Sequence, residues 1–321
     1  ITLTTTGNAT GLTTIAGDPV VTFWDAGTDT LIGYTGATLP SDGSFDPANT
    51  VFTIAVTGAT SNLNAANTAS YTTTLLQPVT HLGSDLGFED DLSFTVNVSV
   101  EDADGSTAPT TFNVLIDDDI PVATNDGNLA NLSEIVADQV IGTVSGTLLG
   151  DDAYGADGPA TTNPITIATG DLGGTVVING DNLEYTSTTN VANGATAIET
   201  FIYTITDGDG DTAEATFTVT LTDTGVSAVS ASNVSVDEDD LPTIGNDDTA
   251  NGDLATPVPG GTINYTLGDD ALGSITLTTT GNATGLTTIA GDPVVTFWDA
   301  GTDTLIGYTG ATLPSDGSFD P

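Results

Sequence analysis

The chain has 321 residues, 44 of them Asp or Glu, with no Lys, Arg, Cys or Met and with His81 as its single histidine. Charged residues of both signs normally make up about a quarter of a protein, so the anomaly is missing bases and not excess acid. The composition excludes electrostatic binding to nucleic acid or to anionic lipid, and it excludes chemistry based on a Lys Schiff base, a Cys nucleophile or an Arg phosphate clamp.

The first 47 residues recur without one change as residues 275–321. Identity at every position, including turn positions that physics leaves nearly free, indicates a recent tandem duplication. The repeat predicts that the chain is a window of a longer array with a 274-residue unit. No apolar run approaches the roughly 18 residues of a membrane span, and no basic signal-peptide region is present, so we expect any export signal to lie outside this window.

Within the repeat, a tight turn at Ala26–Asp29 separates two runs rich in β-forming residues. Trp24, which recurs as Trp298, lies beside Phe23 and near Tyr34. The alternation predicts a strand in which one of these neighbouring aromatics packs in a core. As an alternative, the aromatics and a nearby Asp would stack on and hydrogen-bond a sugar ring, which would make the chain a carbohydrate-binding adhesive module.

Two later segments show the same hairpin pattern of apolar residues at every second position. The first comprises Phe94, Val96, Val98 and Val100, then the turn EDADG, then Phe112, Val114 and Ile116; the second comprises Phe201, Tyr203 and Ile205, then the turn DGDGD, then Phe217, Val219 and Leu221. Period-two alternation with Thr and Ser outside predicts half-buried strands.

The fold class predicted from these patterns is all-β, with tandem antiparallel β-sandwich domains in an extended repeat array. The 38 Gly and 14 Pro interrupt the chain too often for long helices. Acidic joints at Ile116–Asp126 and Leu221–Pro242 divide the chain into three parts. Residues 1–120 are the C-terminal part of a larger sandwich, residues 121–223 form a smaller sandwich, and residues 224–321 are a linker and the N-terminal part of the next larger sandwich.

The acids cluster in the hairpin turns and at the domain joints. Adjacent carboxylates repel unless a cation neutralises them, and Ca²⁺ takes six to eight oxygen ligands, so the sequence predicts Ca²⁺ as the missing cation. Alternatively, these are solvated turns in which Asp merely favours the local backbone. The candidate ligands are Glu101, Asp102, Asp104, Asp117, Asp118, Asp119, Asp126, Asp207, Asp209, Asp211, Asp223, Asp237, Glu238 and Asp239.

The turn of each terminal hairpin and the outgoing linker should lie at opposite ends of the last strand, because the strands are antiparallel. We therefore expect the turn of one domain to face the joint to its N-terminal neighbour, so that acids from both sides converge there. The turn DGDGD is not an EF-hand loop, since Thr212 and Thr218 stand where that loop requires Gly and a bidentate Glu.

The segment YTITDGDGDTAEATFTVTLTD, preceded by INGDNLEYT, resembles the VCBS and cadherin-like repeats of giant bacterial adhesins of the RTX type, which are exported by type I secretion. The segments VSVDEDDLP and FTVNVSVEDADGSTAPTTFNVLIDDDIPVATND are similar to the long Ig-like repeats of the same adhesins. The resemblance implies Ig-like and cadherin-like sandwiches that act as an extracellular stalk or fibre on the bacterial surface, with Ca²⁺ stiffening the joints. Adjacent repeat units of the same chain, and fibre neighbours, are the implied partners. The implied ligands are Asp207, Asp209, Asp211 and Asp223, with Asp102, Asp104, Asp117 and Asp119 in the larger domain.

An enzyme is not expected. Asp223 opens an Asp-Thr-Gly triplet of the kind found in aspartic proteases, which need two such Asp, but a second copy in the proper context is missing and the triplet follows a strand as a linker. His81 lies in QPVTHLGSD with no Ser or acid motif beside it, and a lone loop histidine of this kind is expected to be solvated.

Overall fold

The computed structural model describes residues 1–36, 46–81, 91–238, 260–279 and 282–309. The chain divides into two compact units, Ile1–Thr224 and Gly225–Pro321. Within the described ranges the structure consists of β-strands with short helical turns at Thr6–Asn8, Pro47–Asn49 and Val144–Leu148. None of the described helical segments is long and apolar enough to cross a membrane. The predicted all-β class is confirmed.

The first sandwich of unit 1 packs a five-stranded sheet against a three-stranded one. Its strands are β1 (Thr2–Thr4), β2 (Ala9–Thr13), β3 (Pro19–Asp25), β4 (Thr30–Thr35), β5 (Thr50–Thr57), β6 (Ser70–Leu75), β7 (Leu92–Glu101) and β8 (Thr107–Ile116). The sheet orders are β2-β3-β4-β5-β6 and β1-β7-β8, with all pairs antiparallel. Alternate apolar residues of the two inner faces form one core, which includes Leu3, Leu31, Phe52, Phe94 and Val96.

The apolar side chains that alternate along β7 are buried only in the first half of the strand. Phe94 and Val96 are buried, as predicted, whereas Val98 is half-buried and Val100 is 47% exposed. Phe112 and Val114 on the adjacent strand β8 are likewise only half-buried. Among the described strands, β8 has a neighbour on one side only, so no described strand covers this side of the sandwich.

The second sandwich of unit 1 has a core separate from that of the first. Its strands are β9 (Gly127–Ser133), β10 (Val136–Thr143), β11 (Ile165–Ile167), β12 (Thr175–Asn179), β13 (Asn182–Ser187), β14 (Thr196–Thr206) and β15 (Thr212–Thr222). They form the sheets β10-β13-β12 and β11-β14-β15-β9. The residues of the predicted terminal hairpin that point inward are fully buried, namely Phe201, Tyr203, Ile205, Phe217, Val219 and Leu221.

One feature departs from the purely antiparallel prediction. β9 pairs in parallel with β15, from Phe217 opposite Gly127 to Thr222 opposite Ser133. The chain enters the domain through the acidic joint, and β9 then runs in the same direction as the last strand. This parallel edge completes the sheet that carries the DGDGD hairpin.

The described part of unit 2 contains two small sheets. They are formed by β16 (Ser227–Ala231) with β17 (Ile263–Thr266), and by β18 (Ala283–Thr287), β19 (Pro293–Asp299) and β20 (Thr304–Thr309). The three strands β18 to β20 repeat the positions of β2 to β4 at the 274-residue offset. Local contacts repeat as well, since the hydroxyls of Thr279 and Thr296 are 2.6 Å apart and those of Thr5 and Thr22 are 2.7 Å apart.

Candidate metal centre

The DGDGD turn between β14 and β15 is held by its first aspartate. The Asp207 N–H donates to the Asp211 carbonyl at 3.0 Å, and the N–H groups of Gly210 and Asp211 donate to Asp207 Oδ1 at 3.0 and 2.7 Å. Asp207 is 1% exposed, yet its second oxygen, Oδ2, has no hydrogen-bond partner. The turn therefore uses one carboxylate oxygen for its own geometry and leaves the other buried and unpaired.

Gly208 allows this turn to lie directly against the first sandwich. A Cβ atom at Gly208 would lie 2.5 Å from the Asp157 carbonyl oxygen and 2.8 Å from Ile15 Cγ2. Ile15 belongs to the first sandwich, between β2 and β3, and Asp157 belongs to the long connection between β10 and β11. The absence of a side chain at this position is what lets the three segments meet.

His81 and Asp118 face the turn from the first sandwich and the joint. The His81 backbone N–H donates to Asp209 Oδ2 at 2.9 Å, across 128 positions of sequence. The imidazole Nδ1 lies 3.2 Å from Asp118 Oδ1 without hydrogen-bond geometry, and Nε2 lies 3.4 Å from the Ile116 carbonyl. His81 is 8% exposed. The expectation of a solvated histidine is therefore wrong, because the docked second sandwich covers it.

The connection after β10 closes the site from the other side. Asp119 Oδ2 accepts the Ala156 N–H at 2.8 Å, and Gly155 has a positive φ of 80° where a Cβ would lie 2.6 Å from the Asp119 carbonyl oxygen. This clamp brings Asp157 to the turn. Asp157 Oδ2 is buried and has no hydrogen-bond partner.

We refer to His81, Asp118, Asp157, Asp207 and Asp209 as the joint cluster. It contains two groups of three potential ligand atoms that lie within 4.8 Å of one another, with Asp209 common to both: one is His81, Asp118 and Asp209, and the other is Asp157, Asp207 and Asp209. Each of the four aspartates contributes one buried oxygen without a hydrogen-bond partner. A buried carboxylate oxygen without a partner carries a large desolvation cost, so the cluster needs protons or a cation.

The pKa values of the cluster reflect this cost. Burial raises the pKa of Asp207 to about 7, and the neighbouring Asp209 adds to this rise. The hydrogen bonds from the backbone N–H groups of Gly210 and Asp211 lower the pKa and offset part of the rise. Burial also raises the pKa of Asp118 to about 6, and a hydrogen bond with Asp211 adds to this rise. The pKa of Asp157 is raised by burial to about 6 as well, and the charge of Asp209 adds to that rise. Near neutral pH the cluster thus holds several carboxylates that a bound cation would stabilise in their charged form.

The donor set of the second group fits a hard divalent cation. Asp157, Asp207 and Asp209 offer carboxylate oxygens only, which Ca²⁺ prefers, and they leave room in its coordination shell of six to eight for carbonyls and water. Mg²⁺ binds less readily in such a site because it demands a small octahedral shell and gives up water reluctantly. His81, the single histidine of the chain, lies beside Asp118 in the first group, where a ring nitrogen is a further potential ligand.

Of the predicted ligands, Asp118, Asp207 and Asp209 come together in the joint cluster, and Asp119 and Asp211 lie next to it. The turn therefore does face the N-terminal joint. Sequence reasoning missed Asp157, because its connection carries no motif and reaches the turn only through tertiary packing.

Three predicted ligands lie at the end of β7 and in the exposed β7–β8 turn, and none is part of a three-ligand group in the described chain: Glu101, Asp102 and Asp104. Asp102 Oδ1 accepts the Ser106 N–H at 3.0 Å, and Asp104 Oδ1 accepts the Ser106 hydroxyl at 2.9 Å. The hydrogen bond with Asp102, followed by those from Ser106, lowers the pKa of Asp104. These contacts are those of a solvated turn stabilised by Asp.

Asp117 and Asp126 flank the joint without entering the cluster. Asp117 is exposed. Asp126 is half-buried with a buried Oδ2, and burial raises its pKa to about 6, against the Tyr203 hydroxyl, which lowers it. The Tyr203 hydroxyl also donates to Asp152 at 2.9 Å, so Asp126 belongs to the interior polar network of the second sandwich.

The remaining predicted ligands follow the second sandwich. Asp223 Oδ2 accepts the Gly194 N–H at 2.7 Å and lies near the fully buried Glu134, which has an unpaired Oε1 and which sequence reasoning did not single out. Asp237 and Glu238 lie in unit 2, outside every three-ligand group among the described residues. Asp239 lies outside the described residues.

Trp24 packs against the core of the first sandwich, on the same face of β3 as the buried Val20 and Thr22. Phe23, on the other face, is also half-buried. The side chain of Trp24 therefore packs against the core but stays partly exposed, whereas the core-packing interpretation predicts that one of the two aromatics lies in the core.

Comparison with known proteins gives one family match and five structural likenesses, two of which are described below. Residues 118–220 match a family model described as a bacterial Ig domain, which covers the second sandwich and about a third of the chain. No curated protein matches the chain. The match supports the Ig-like resemblance drawn from the sequence, whereas nothing in it separates adhesin repeats from other Ig-like domains.

The first structural likeness is to the extracellular domain of protocadherin gammaB4, at 12% identity and a TM-score of 0.24, covering 63% of this chain and 31% of that one. The chain thus spans about a third of that structure's length. The second is to the EC1-2 region of human protocadherin-24, at 11% identity and a TM-score of 0.26, covering 70% of this chain and 98% of that one. At these TM-scores neither likeness carries an argument about function or domain arrangement.

Proposed function

We propose that the chain is a structural segment, an extender or stalk of a secreted bacterial surface adhesin, in which Ca²⁺ at the joint cluster fixes one sandwich against the next. The observation that carries this proposal is the set of four buried, unpaired aspartate oxygens where the two sandwiches of unit 1 meet. The bacterial Ig match and the exact repeat favour the extracellular, repetitive role. We propose no enzymatic activity.

The proposed mechanism is mechanical. Asp118 follows the last strand of the first sandwich, while Asp207 and Asp209 lie in a turn of the second. A cation held by Asp157, Asp207 and Asp209 would lie at the contact, because Asp209 also accepts the His81 N–H of the first sandwich and shares the other group with Asp118. Its loss would leave mutually repelling carboxylates where the two sandwiches meet. Calcium would therefore convert a hinge into a rigid joint, as a stalk under load requires.

The test is calorimetric titration of chelator-treated chain with CaCl₂, paired with small-angle scattering. We expect saturable Ca²⁺ binding, weaker binding of Mg²⁺, and a longer, stiffer particle with Ca²⁺ than with EDTA. The Asp209→Asn variant removes the ligand that both groups share and should lose most of this response. The matched control is Asp102→Asn in the exposed turn, which should titrate like the unmodified chain. Absence of Ca²⁺ binding, or equal loss in both variants, would remove the proposal.

The carbohydrate-binding alternative has no comparable observation in its favour, because the Trp24 side chain packs against the core. It predicts glycan binding that Trp24→Ala abolishes while the fold is retained, which a glycan array with a thermal-melting control would detect.

A further inference from the structure

The two groups of the joint cluster differ in where their ligands come from. Asp157, Asp207 and Asp209 all belong to the second sandwich, whereas the first group combines Asp209 with His81, which follows β6, and Asp118, which follows β8. The first group therefore takes potential ligands from both sides of the contact between the sandwiches. It also contains a ring nitrogen, which the second group lacks.

Each member of the first group has one buried polar atom without a hydrogen-bond partner. These atoms are His81 Nδ1, Asp118 Oδ2 and Asp209 Oδ1. His81 and Asp118 are only 8 and 7% exposed. Buried polar atoms of side chains are nearly always hydrogen-bonded, so three such atoms from side chains that meet at one place indicate a ligand that they share.

The other polar atom of each of these side chains holds it in place. Asp118 Oδ1 accepts the Asp119 N–H at 2.8 Å, and Asp209 Oδ2 accepts the His81 N–H at 2.9 Å. His81 Nε2 lies 3.4 Å from the Ile116 carbonyl, which can only accept, so the ring proton lies on Nε2 and Nδ1 keeps a free lone pair. Histidines that bind metals are held in this way, through a contact from the second ring nitrogen to a carbonyl or a carboxylate.

The backbone that carries His81 is fixed to the first sandwich. The Thr80 N–H donates to the Thr13 carbonyl at 2.9 Å, and the Thr80 hydroxyl donates to the Thr14 carbonyl at 2.8 Å. Val79, just before them, is 1% exposed and packs in the core. Because this segment is ordered without an ion, binding would pay little for immobilising it.

The donor set of the first group selects a different ion from that of the second. Ca²⁺ and Mg²⁺ take oxygen ligands, whereas imidazole nitrogen suits Zn²⁺ and its neighbours among the transition metals. One imidazole and two carboxylates supply three protein ligands of a four-coordinate Zn²⁺, which leaves one position for water. Asp209 is only half-buried, so solvent reaches this group.

We propose that His81, Asp118 and Asp209 bind Zn²⁺. The inference rests on the proposed function, in which a cation fixes this joint, and it assigns to the joint a second ion with its own ligands. Zn²⁺ at this position joins the two sandwiches directly, because His81 belongs to the first and Asp209 to the second. The oxygen-only group beside it is left to Ca²⁺.

Nuclear magnetic resonance of the full, untagged chain with ¹⁵N-labelled histidine tests the proposal. The chain has one histidine and no cysteine, so a change in the ring nitrogen signals can come from His81 alone. We expect ZnCl₂ to shift the Nδ1 signal until one equivalent has been added. CaCl₂ should leave this signal in place, since Ca²⁺ does not use the imidazole.

Calorimetric titration of matched variants separates the two ions. His81→Gln keeps a donor for the Ile116 carbonyl and removes Nδ1, so it should lower the affinity for Zn²⁺ by about a hundredfold or more and change that for Ca²⁺ by less than about twofold. Asp118→Asn should have the same effect. The matched control is Asp157→Asn, which belongs to the second group alone and should weaken Ca²⁺ binding while Zn²⁺ binds normally. Thermal melting verifies that each variant is folded, and the histidine signals of the unmodified chain decide the question without any variant.

Three results would overturn the proposal: absence of Zn²⁺ binding, Zn²⁺ binding that leaves the Nδ1 signal unshifted, and equal Zn²⁺ affinity in a folded His81→Gln chain. The last two would mean that Zn²⁺ associates with exposed carboxylates only. Ca²⁺ binding without any effect of Zn²⁺ on His81 refutes this inference and leaves the proposed function standing. Conversely, a shift of Nδ1 by Zn²⁺ in a chain that does not bind Ca²⁺ refutes the calcium group alone.

Discussion

Replacing Asp207 with Asn should change stability in opposite directions with and without calcium. Asn keeps an oxygen that can accept the two backbone N–H groups of the turn, and it replaces the unpaired Oδ2 with an amide that has no charge. The pKa of Asp207 is raised from 3.8 to about 7, and each pKa unit corresponds to about 1.4 kcal/mol. The full shift would be about 4 kcal/mol, but the charge is shared with Asp209 and partly screened by solvent, so we expect about 1–2 kcal/mol.

In EDTA at pH 8, Asp207→Asn should therefore be more stable than the unmodified chain by about 1–2 kcal/mol. In Ca²⁺ at about one hundred times its dissociation constant, the unmodified chain should gain about 2.7 kcal/mol and the variant little of it, so the order reverses. Differential scanning calorimetry resolves this, since 1 kcal/mol shifts the melting temperature of a domain of about 100 residues by several degrees. Asp104→Asn, in the exposed β7–β8 turn, is the control and should move neither transition. Equal destabilisation of Asp207→Asn in both buffers would show that this carboxylate serves the turn alone and would refute the reasoning.

Three further predictions concern contacts in unit 1. In EDTA, denaturant titrations should show that the free energy of unfolding rises as the pH falls from 8 to 6. The reason is that folded Asp207 and Asp118 take up protons at pKa values of about 7 and 6, whereas the unfolded chain binds these protons only near pH 3.8. Saturating Ca²⁺ should reverse this dependence on pH, because protons then compete with the bound cation. Glu199 is fully buried in the second sandwich, where its carboxylate accepts the Gly174 N–H and the Tyr185 hydroxyl. Glu199→Ala should cost about 2–4 kcal/mol in the same titrations because it leaves both donors unpaired, whereas Glu199→Gln should recover part of the loss. An alanine variant as stable as the unmodified chain would contradict this expectation. Gly208→Ala should weaken Ca²⁺ binding by about tenfold or more in calorimetry, because its Cβ would push the turn away from the first sandwich, and unchanged affinity would mean that the close approach is dispensable.

The sequence anticipated the parts of the metal centre that a motif marks. DGDGD predicted a carboxylate-rich turn, and antiparallel topology placed that turn at the N-terminal joint, where Asp118 lies. EDADG looked equivalent, but Asp102 and Asp104 are exposed and their oxygens accept hydrogen bonds from Ser106. Whether an acidic turn is a solvated loop or part of a buried cluster depends on which segments pack against it. A local sequence pattern does not specify those tertiary neighbours.

His81 and Asp157 belong to the joint cluster although no local sequence motif marks them. Neither stands in a recognisable pattern, and His81 contacts Asp209 across 128 positions of sequence. Their roles arise when the two sandwiches dock through Gly208 and bury the space between them. Sequence separation of this size removes the spacing signal on which motif reading depends.

The duplicated segment shows within one molecule which features the local sequence sets and which the tertiary packing sets. In both copies the same residues form three matching strands, and the same Thr hydroxyls pair, because turn chemistry and β-propensity are local. Thr2–Thr4 forms strand β1 by pairing with β7, whereas the identical residues 276–278 form no strand. Leu12 is 5% exposed and its counterpart Leu286 is 64% exposed. The sequence by itself determined the alternation of apolar residues, the turns and the all-β class. The tertiary structure decided which apolar residues lie in the core and which acids form a buried cluster, because the burial of a residue depends on the segments that pack against it.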